Sequence, residues 1–401
     1  MSNRPHRRDE VIVIGAGVAG LAAAQALQQR GIEVRVIEAA DRVAEAWRHR
    51  HPHLRLNTHR WFSSLPGMKL PKSAGSFPDR DSLIHYLEAY AARFDLPIDF
   101  GVRVEGLRRD GGHWVLQTSR GAETASQVVV ATGQNRVPRL PDWPGADGFR
   151  GEILHSADFG PRERYRGKRV LVVGAGNSGT DVLNHLSRVE TGPLWVSVRH
   201  GPVVFPTRLL GFPVQLSGPL MERLPLTTVD RLLEITERLA FGRLSRWGLR
   251  RHPVGAATRM ATTGTAPAID DGFIAALKAG KVEIVPEIEA FEPEGVRLTD
   301  GRRLTPDVVI AATGYGTGLE PLLGPLGVLD ERGVPVVNGA ATAPGCPGLR
   351  FTGMRPYLGG YLRDAGRAGK AVAAAIEGDL ARRPQAEARN LSQPRQTGEA
   401  A

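Results

Sequence analysis

Two stretches of this chain repeat one strand–turn–helix–strand pattern, and that duplication limits the fold more than any other feature. The first runs from Glu10 to Glu38. An apolar strand (Val11 to Ile14) enters the turn Gly15-Ala16-Gly17-Val18-Ala19-Gly20, and a helix rich in Ala, Leu and Gln follows until Gly31 stops it. A strand from Glu33 to Ile37 then ends in Glu38. The second begins at Lys168, with a strand Val170 to Val173, the turn Gly174-Ala175-Gly176-Asn177-Ser178-Gly179, a helix to about Arg188, and a strand from Leu194 to Val198 ending in Arg199. Short apolar strands, a helical period of 3.6 and glycine punctuation define a βαβ unit. Two later strands also echo one another: Val128 to Val130 runs into Thr132-Gly133, and Val308 to Ile310 runs into Thr313-Gly314. Each follows an alternating stretch with turn signals, His113 to Gln127 and Val296 to Pro306. The expected fold is therefore α/β, with two Rossmann-like dinucleotide-binding domains, the second inserted into the first. The expected boundaries are 1–160 for the first domain, 161–310 for the second with a helical segment at 205–265, 311–380 for the return to the first, and a disordered tail at 381–401. Within the helical segment, Thr228 to Phe241 reads as an amphipathic helix whose apolar stripe packs on the core.

In the first turn, Gly15 permits the tight bend, Gly17 lets a pyrophosphate approach the backbone, and Gly20 lets helix and strand pack. Free N–H groups at the helix start face phosphate charge. A carboxylate at Glu38 suits ribose hydroxyls. In the second unit Arg199 stands where the first has Glu38, and a guanidinium pairs with the 2′-phosphate that a carboxylate repels. This assigns an adenine dinucleotide without that phosphate to the first site and NADPH to the second. FAD as the bound group and NADPH as the exchanging one is the economical pairing, and it means electron transfer through a flavin. Read otherwise, Arg199 is one solvated arginine among many.

Composition narrows the classes. One cysteine, Cys346, excludes an intrachain disulfide, a redox dithiol and a cysteine zinc cluster, and no metal-ligand pattern is read. No apolar run approaches the roughly 18 residues that a membrane span needs. The net charge of +10 comes from scattered arginines without a basic stripe or a nucleic-acid module, so it favours anionic small molecules over nucleic acid. Met1 to Arg8 is basic but lacks an apolar h-region, which suggests a cytoplasmic protein.

Phe149-Arg150-Gly151-Glu152-Ile153-Leu154-His155-Ser156-Ala157-Asp158-Phe159 matches the FxGxxxHxxx(Y/F) fingerprint of the flavin-containing monooxygenases and lies between the two glycine turns. The chain resembles that family from about Glu10 to Glu377. From Gly174 to Gly316 it is most similar to the YUCCA branch, the indole-3-pyruvate monooxygenases, through GAGNSG, VRHGPVVFP, FGRLSRWGL and the run from Ala268 to Phe291. Baeyer–Villiger monooxygenases end the fingerprint in Trp followed by Pro or Asp, whereas Phe159-Gly160 stands here.

The resemblance implies an FAD- and NADPH-dependent monooxygenase that inserts one atom of O2 into a small organic substrate through a C4a-(hydro)peroxyflavin. It implies that Asn57 sits in the active site near flavin and nicotinamide, and that Trp47, Thr132, Gly133, Thr313, Gly314 and Gly359 lie along the cofactors. The positive end of a helix from Tyr361 to Ile376 would face the flavin. By the same resemblance Phe149, Gly151, His155 and Phe159 lie between the domains. His155 is equally a structural histidine and Asn57 a turn asparagine. Oxidative decarboxylation of an aromatic 2-oxo acid, N- or S-oxygenation of a small amine or sulfide, and electron transfer to a separate protein all remain open, as does a homodimer.

Overall fold

A computed structural model describes residues 11–209, 211–357 and 359–391. Strand β1 (Val11–Ile14) leads through the first glycine turn into helix α1 (Val18–Gln28) and strand β2 (Val34–Ile37). Helix α2 (Arg80–Arg93) and the short strand β3 (Ile98–Asp99) follow, and an antiparallel meander over Val104–Asp110, His113–Thr118 and Gly121–Ala125 precedes β4 (Gln127–Val130). The chain then crosses to a second sheet through β5 (Glu152–His155). It continues with β6 (Val170–Val173), α3 (Asn177–Leu186), β7 (Leu194–Ser197), α4 (Leu226–Phe241), β8 (Val282–Val285), a second meander, and β9 (Val308–Ala311). It returns through β10 (Leu349–Phe351) and the long helix α5 (Tyr361–Leu391).

Both sheets are parallel. Their orders are β10-β4-β1-β2-β3 and β5-β9-β6-β7-β8, so β1 corresponds to β6 and β4 to β9. Parallel strands are covered on both faces, which is why they read as unbroken apolar runs. Val11 and Val13 pack against α1 and α5, while Ile12 and Ile14 pack against Trp114 and Leu116 of the first meander. In the second unit Val170 and Val172 face Val182, Leu183 and Leu186 of α3, and Leu171 faces Phe291, Val296 and Leu298 of the second meander.

Three expectations are corrected. The fingerprint strand β5 pairs with β9 and is the edge of the second sheet, so that sheet begins before residue 160. The disordered tail does not begin at 381: α5 continues through Leu391. The rest of that expectation, 392–401, lies outside the described residues, as does the basic terminus. Finally, α4 spans Leu226–Phe241 and buries Val229 and Leu233, but Leu232, Ile235 and Leu239 of its stripe are exposed. The segment is held instead by Glu237, which is buried, accepts from the Val204 N–H at 2.8 Å and pairs with Arg251.

Candidate active site between the two glycine turns

The first turn is closed by the Gly15 N–H donating to Ile37 O at 2.8 Å, with Gly15 at φ +106°. A Cβ on Gly20 would stand 1.8 Å from Gly15 O, so only glycine packs there, whereas a Cβ on Gly17 would meet nothing within 4 Å. No side chain caps α1. Its first N–H groups and the open space over Gly17 form an anion cradle. The Glu38 carboxylate lies across this turn, accepting from the Ala16 N–H at 2.6 Å and the Ala40 N–H at 2.8 Å. Ala44, left-handed at φ 63°, donates to Ala16 O and starts the short helix Glu45–Arg48, which brings the half-buried Trp47 onto the core of this unit. At the end of β4 the Thr132 hydroxyl is buried with no partner among the described residues, and Gly133 beside it, at φ +84°, leaves open space. An unsatisfied buried hydroxyl beside an open glycine fits a bound polar group. From the other side, the Cβ position of Gly353 lies 2.6 Å from Ala19 Cβ, and that of Gly360 lies 3.1 Å from Thr58 Cγ2. The entry to α5 therefore meets α1 and the segment just after Asn57. Gly359 is hemmed in by Glu222, whose Oε1 is 2.2 Å from its Cβ position.

The second turn copies the first: Gly174 N–H donates to Ser197 O at 2.9 Å, a Cβ on Gly179 would stand 1.9 Å from Gly174 O, and Gly176 is open. Asn177 and Ser178 begin α3, which no side chain caps. The backbone corrects the sequence register. Ser197 stands where Ile37 does, so Val198, which bonds to β8 as Glu38 bonds to β3, occupies the position of Glu38. Arg199 lies one residue further on. It is exposed and donates from Nε to Glu287 Oε1 at 2.8 Å. His200 beside it packs against His252, ring centroids 5.4 Å apart.

The two units meet at specific side chains. Asn57 Nδ2 donates to Asn177 Oδ1 at 3.1 Å, which joins the predicted active-site asparagine to the first residue of α3. His51 Nε2 is 2.7 Å from Asp181 Oδ2, with His185 on the other carboxylate oxygen at 3.6 Å. Burial pushes the Asp181 carboxyl up, but hydrogen bonds from His185 and His51 outweigh it and bring the group down to about 2. The crossing segments pair as a small antiparallel ribbon, Val137–Pro138 against Tyr315–Gly316. There the Thr313 hydroxyl donates to Arg139 O, and Gly314 O accepts from the Arg139 N–H and, at 3.0 Å, from His155 Nε2. Buried His155 also accepts from the Ala157 N–H through Nδ1, and burial lowers its pKa despite the bond to Gly314. It braces the ribbon. Phe149 packs on Phe291, Gly151 is closed in by the Phe149 ring, and Phe159 stacks on Tyr165.

Two cavities flank the entry to α5. One of about 740 Å³ is lined by Arg60, Trp61, Met68, Leu70, Arg363 and Lys370. Arg363 stacks over Phe62, and its Nη1 is buried with no partner among the described residues. The other, about 530 Å³, is lined by Glu222, Met260, Tyr357, Asp364 and Arg367. Sequence reading missed Arg363, Asp364 and the His51–Asp181–His185 group. The histidine-rich run His49, His51, His53 was the one visible hint, since the partners of His51 and His53 lie more than a hundred residues away.

Two parallel sheets, each with a glycine turn that opens a helix, the Asn57–Asn177 contact between the units, and a single buried cysteine define a flavoprotein oxidoreductase without a redox dithiol. Residues 12–194 match the family model described as pyridine nucleotide-disulphide oxidoreductase. Indole-3-pyruvate monooxygenase YUCCA1 of Oryza sativa subsp. japonica is 36% identical over 83% of this chain and 84% of its own. The flavin-containing monooxygenase from Stenotrophomonas maltophilia is 25% identical with a TM-score of 0.69, covering 91% of this chain and 99% of that one. OTEMO, solved in complex with FAD and NADP, shares the fold at 19% identity and a TM-score of 0.67, covering 95% of this chain and 86% of that one. The chain belongs to the flavin-containing monooxygenase family, in its YUCCA branch, and is a monooxygenase. Among the described residues no helix is long and apolar enough to cross a membrane.

Proposed function

We propose that the first unit holds FAD, the second takes NADPH, and the enzyme oxidatively decarboxylates an aromatic 2-oxo acid with O2. Bound flavin supplies the chemistry: reduced by the nicotinamide, it activates O2 for transfer of a single oxygen atom. The protein's residues bind, orient and exclude water. The α1 turn and Glu38 hold the adenine half of FAD, and Thr132 and Gly133 border its pyrophosphate. The α3 turn and Arg199 hold NADPH. Asn57, hydrogen-bonded to Asn177, sits between the two cradles and presents an uncharged amide to the reacting region. Decarboxylation needs an anion anchored by its carboxylate. The observation that carries the reading is a cavity whose wall combines Trp61, Met68 and Leu70 with the cations Arg60, Arg363 and Lys370, the Arg363 Nη1 being buried with no partner among the described residues. Cations beside an aromatic and apolar wall suit a carboxylate on an aromatic body. The names of the relatives point to the same substrate class. A cytoplasmic location, where NADPH is supplied, belongs to this proposal.

The second cavity favours another reading. Glu222 and Asp364 against the single Arg367 leave it acidic, which suits a protonated amine and hence N-oxygenation. Incubation with NADPH, isotopically heavy oxygen, and a panel of aromatic 2-oxo acids, amines and sulfides separates the readings. Heavy oxygen in the shortened carboxylic acid, with carbon dioxide released, supports the first. Label in N- or S-oxides alone overturns it, and NADPH oxidation without any labelled product points to an electron-transfer reductase.

A further inference from the structure

Outside both cofactor cradles, one carboxylate and two imidazoles converge inside the protein. Asp181 and His185 lie four residues apart on α3 and so share one face, one turn apart. His51 reaches them from the loop that leads to Asn57. The three candidate ligand atoms, one from each residue, all lie within 4.8 Å of one another; His51 Nε2 is 2.7 Å from Asp181 Oδ2 and His185 Nε2 is 3.6 Å from Oδ1. A tetrahedral ion with bonds of about 2.0–2.1 Å places its ligand atoms about 3.4 Å apart, inside that 4.8 Å limit, and the 2.7 Å His51 contact lengthens as the ion enters. The His51 and His185 side chains are 5% and 9% exposed. Their surroundings are aromatic: Phe159 meets His51 edge-on at 5.3 Å, and the His53 ring lies 5.5 Å from that of His185. Neither Nδ1 has a partner among the described residues, so no neighbour on that side fixes either ring in the tautomer that would deny its Nε2 lone pair to an ion.

We propose that His51, Asp181 and His185 bind a divalent transition-metal ion of the zinc type, with a water in the fourth position. Two imidazoles and one carboxylate suit zinc, whereas calcium and magnesium take oxygen donors. The ion replaces the carboxylate–imidazole hydrogen bonds and staples the 51–57 loop to α3, the same two elements that the Asn57–Asn177 contact joins. Its role is structural: it fixes the loop that carries Asn57. The sequence hides it because His51 stands 130 residues from Asp181.

The test uses tag-free, FAD-loaded enzyme stripped with EDTA, exchanged into zinc, desalted, and assayed by elemental analysis and thermal melting. Expected are about one zinc per FAD and a higher melting temperature. Both gains should disappear in His185→Gln and in Asp181→Asn. No stoichiometric uptake by the wild type, or uptake unchanged in FAD-retaining variants, overturns the proposal. Where a variant loses FAD, anomalous scattering at the zinc edge from wild-type crystals decides. An ion among the three side chains supports the assignment, and zinc elsewhere or none overturns it.

Discussion

Asn57 and Asn177 stand 120 residues apart, yet the amide of the first donates to the amide oxygen of the second at 3.1 Å. One belongs to the loop that borders the entry to α5, the other starts the helix of the second glycine turn. Their contact ties the proposed flavin and nicotinamide sites into one cleft.

Asn57→Leu removes that contact and the uncharged donor beside the reacting groups. FAD content should stay near wild type, while productive oxygenation falls about tenfold, the equivalent of one lost hydrogen bond of about 1.4 kcal/mol, and hydrogen peroxide rises to match. Product and peroxide per NADPH consumed are the readouts. Unchanged coupling would remove Asn57 from the active site.

Glu38 is held by two backbone N–H groups, each charge-assisted bond worth about 1.5–3 kcal/mol. Glu38→Ala should loosen the first turn and weaken FAD binding at least about tenfold, seen as a lower flavin-to-protein absorbance ratio after gel filtration. Full retention of FAD would separate Glu38 from the ribose.

The Arg199–Glu287 pair is exposed, so breaking it costs less than about 1 kcal/mol of stability. Arg199→Ala should raise the KM for NADPH about tenfold or more and leave that for NADH nearly unchanged. Glu287→Gln, which frees the guanidinium, should lower the KM for NADPH. Equal losses with both nucleotides in Arg199→Ala would overturn the 2′-phosphate assignment.

Arg363→Met tests the substrate side. The KM for an aromatic 2-oxo acid should rise about ten- to hundredfold, the scale of one charge-assisted bond, with the KM for NADPH unchanged. A neutral sulfide substrate should be unaffected. Unaltered 2-oxo acid kinetics would leave the acidic cavity and its amine reading as the better choice.

Asp364 is buried, its Oδ2 has no partner among the described residues, and burial followed by the nearby Glu222 raises its pKa to about 6 from an ordinary 3.8. A raised carboxyl contributes stability that is fully present below the unfolded value and is lost as pH rises through about 6, an effect of about 3 kcal/mol. Asp364→Asn should therefore melt higher than wild type at pH 8, with the gap closing toward pH 4. A gap independent of pH would mean that the carboxyl is not perturbed.

The fold was legible where each unit's own residues dictate it. Val11 to Ile14 and Val170 to Val173 are apolar because parallel strands are covered on both faces. Gly20 and Gly179 are required because a Cβ would strike the carbonyl oxygen of Gly15 or Gly174. These are local constraints and leave a local pattern. The register of Arg199 was misplaced by one residue because sequence spacing counts loop residues, whereas hydrogen bonds from Gly174 to Ser197 and from Val198 to β8 set the true alignment.

By itself the sequence determined two dinucleotide-binding units, the absence of a redox dithiol, and membership of a monooxygenase family, since each depends on residue identity within about thirty positions or on a simple count. Only the tertiary structure decided that β5 belongs to the second sheet, that Asn57 meets Asn177, that Arg363 lines a cavity with Trp61, Met68 and Leu70, and that His51 joins Asp181 and His185. Those contacts arise from how two independently patterned units dock through a short ribbon, and residues brought together by docking share no period or spacing that a linear sequence can display.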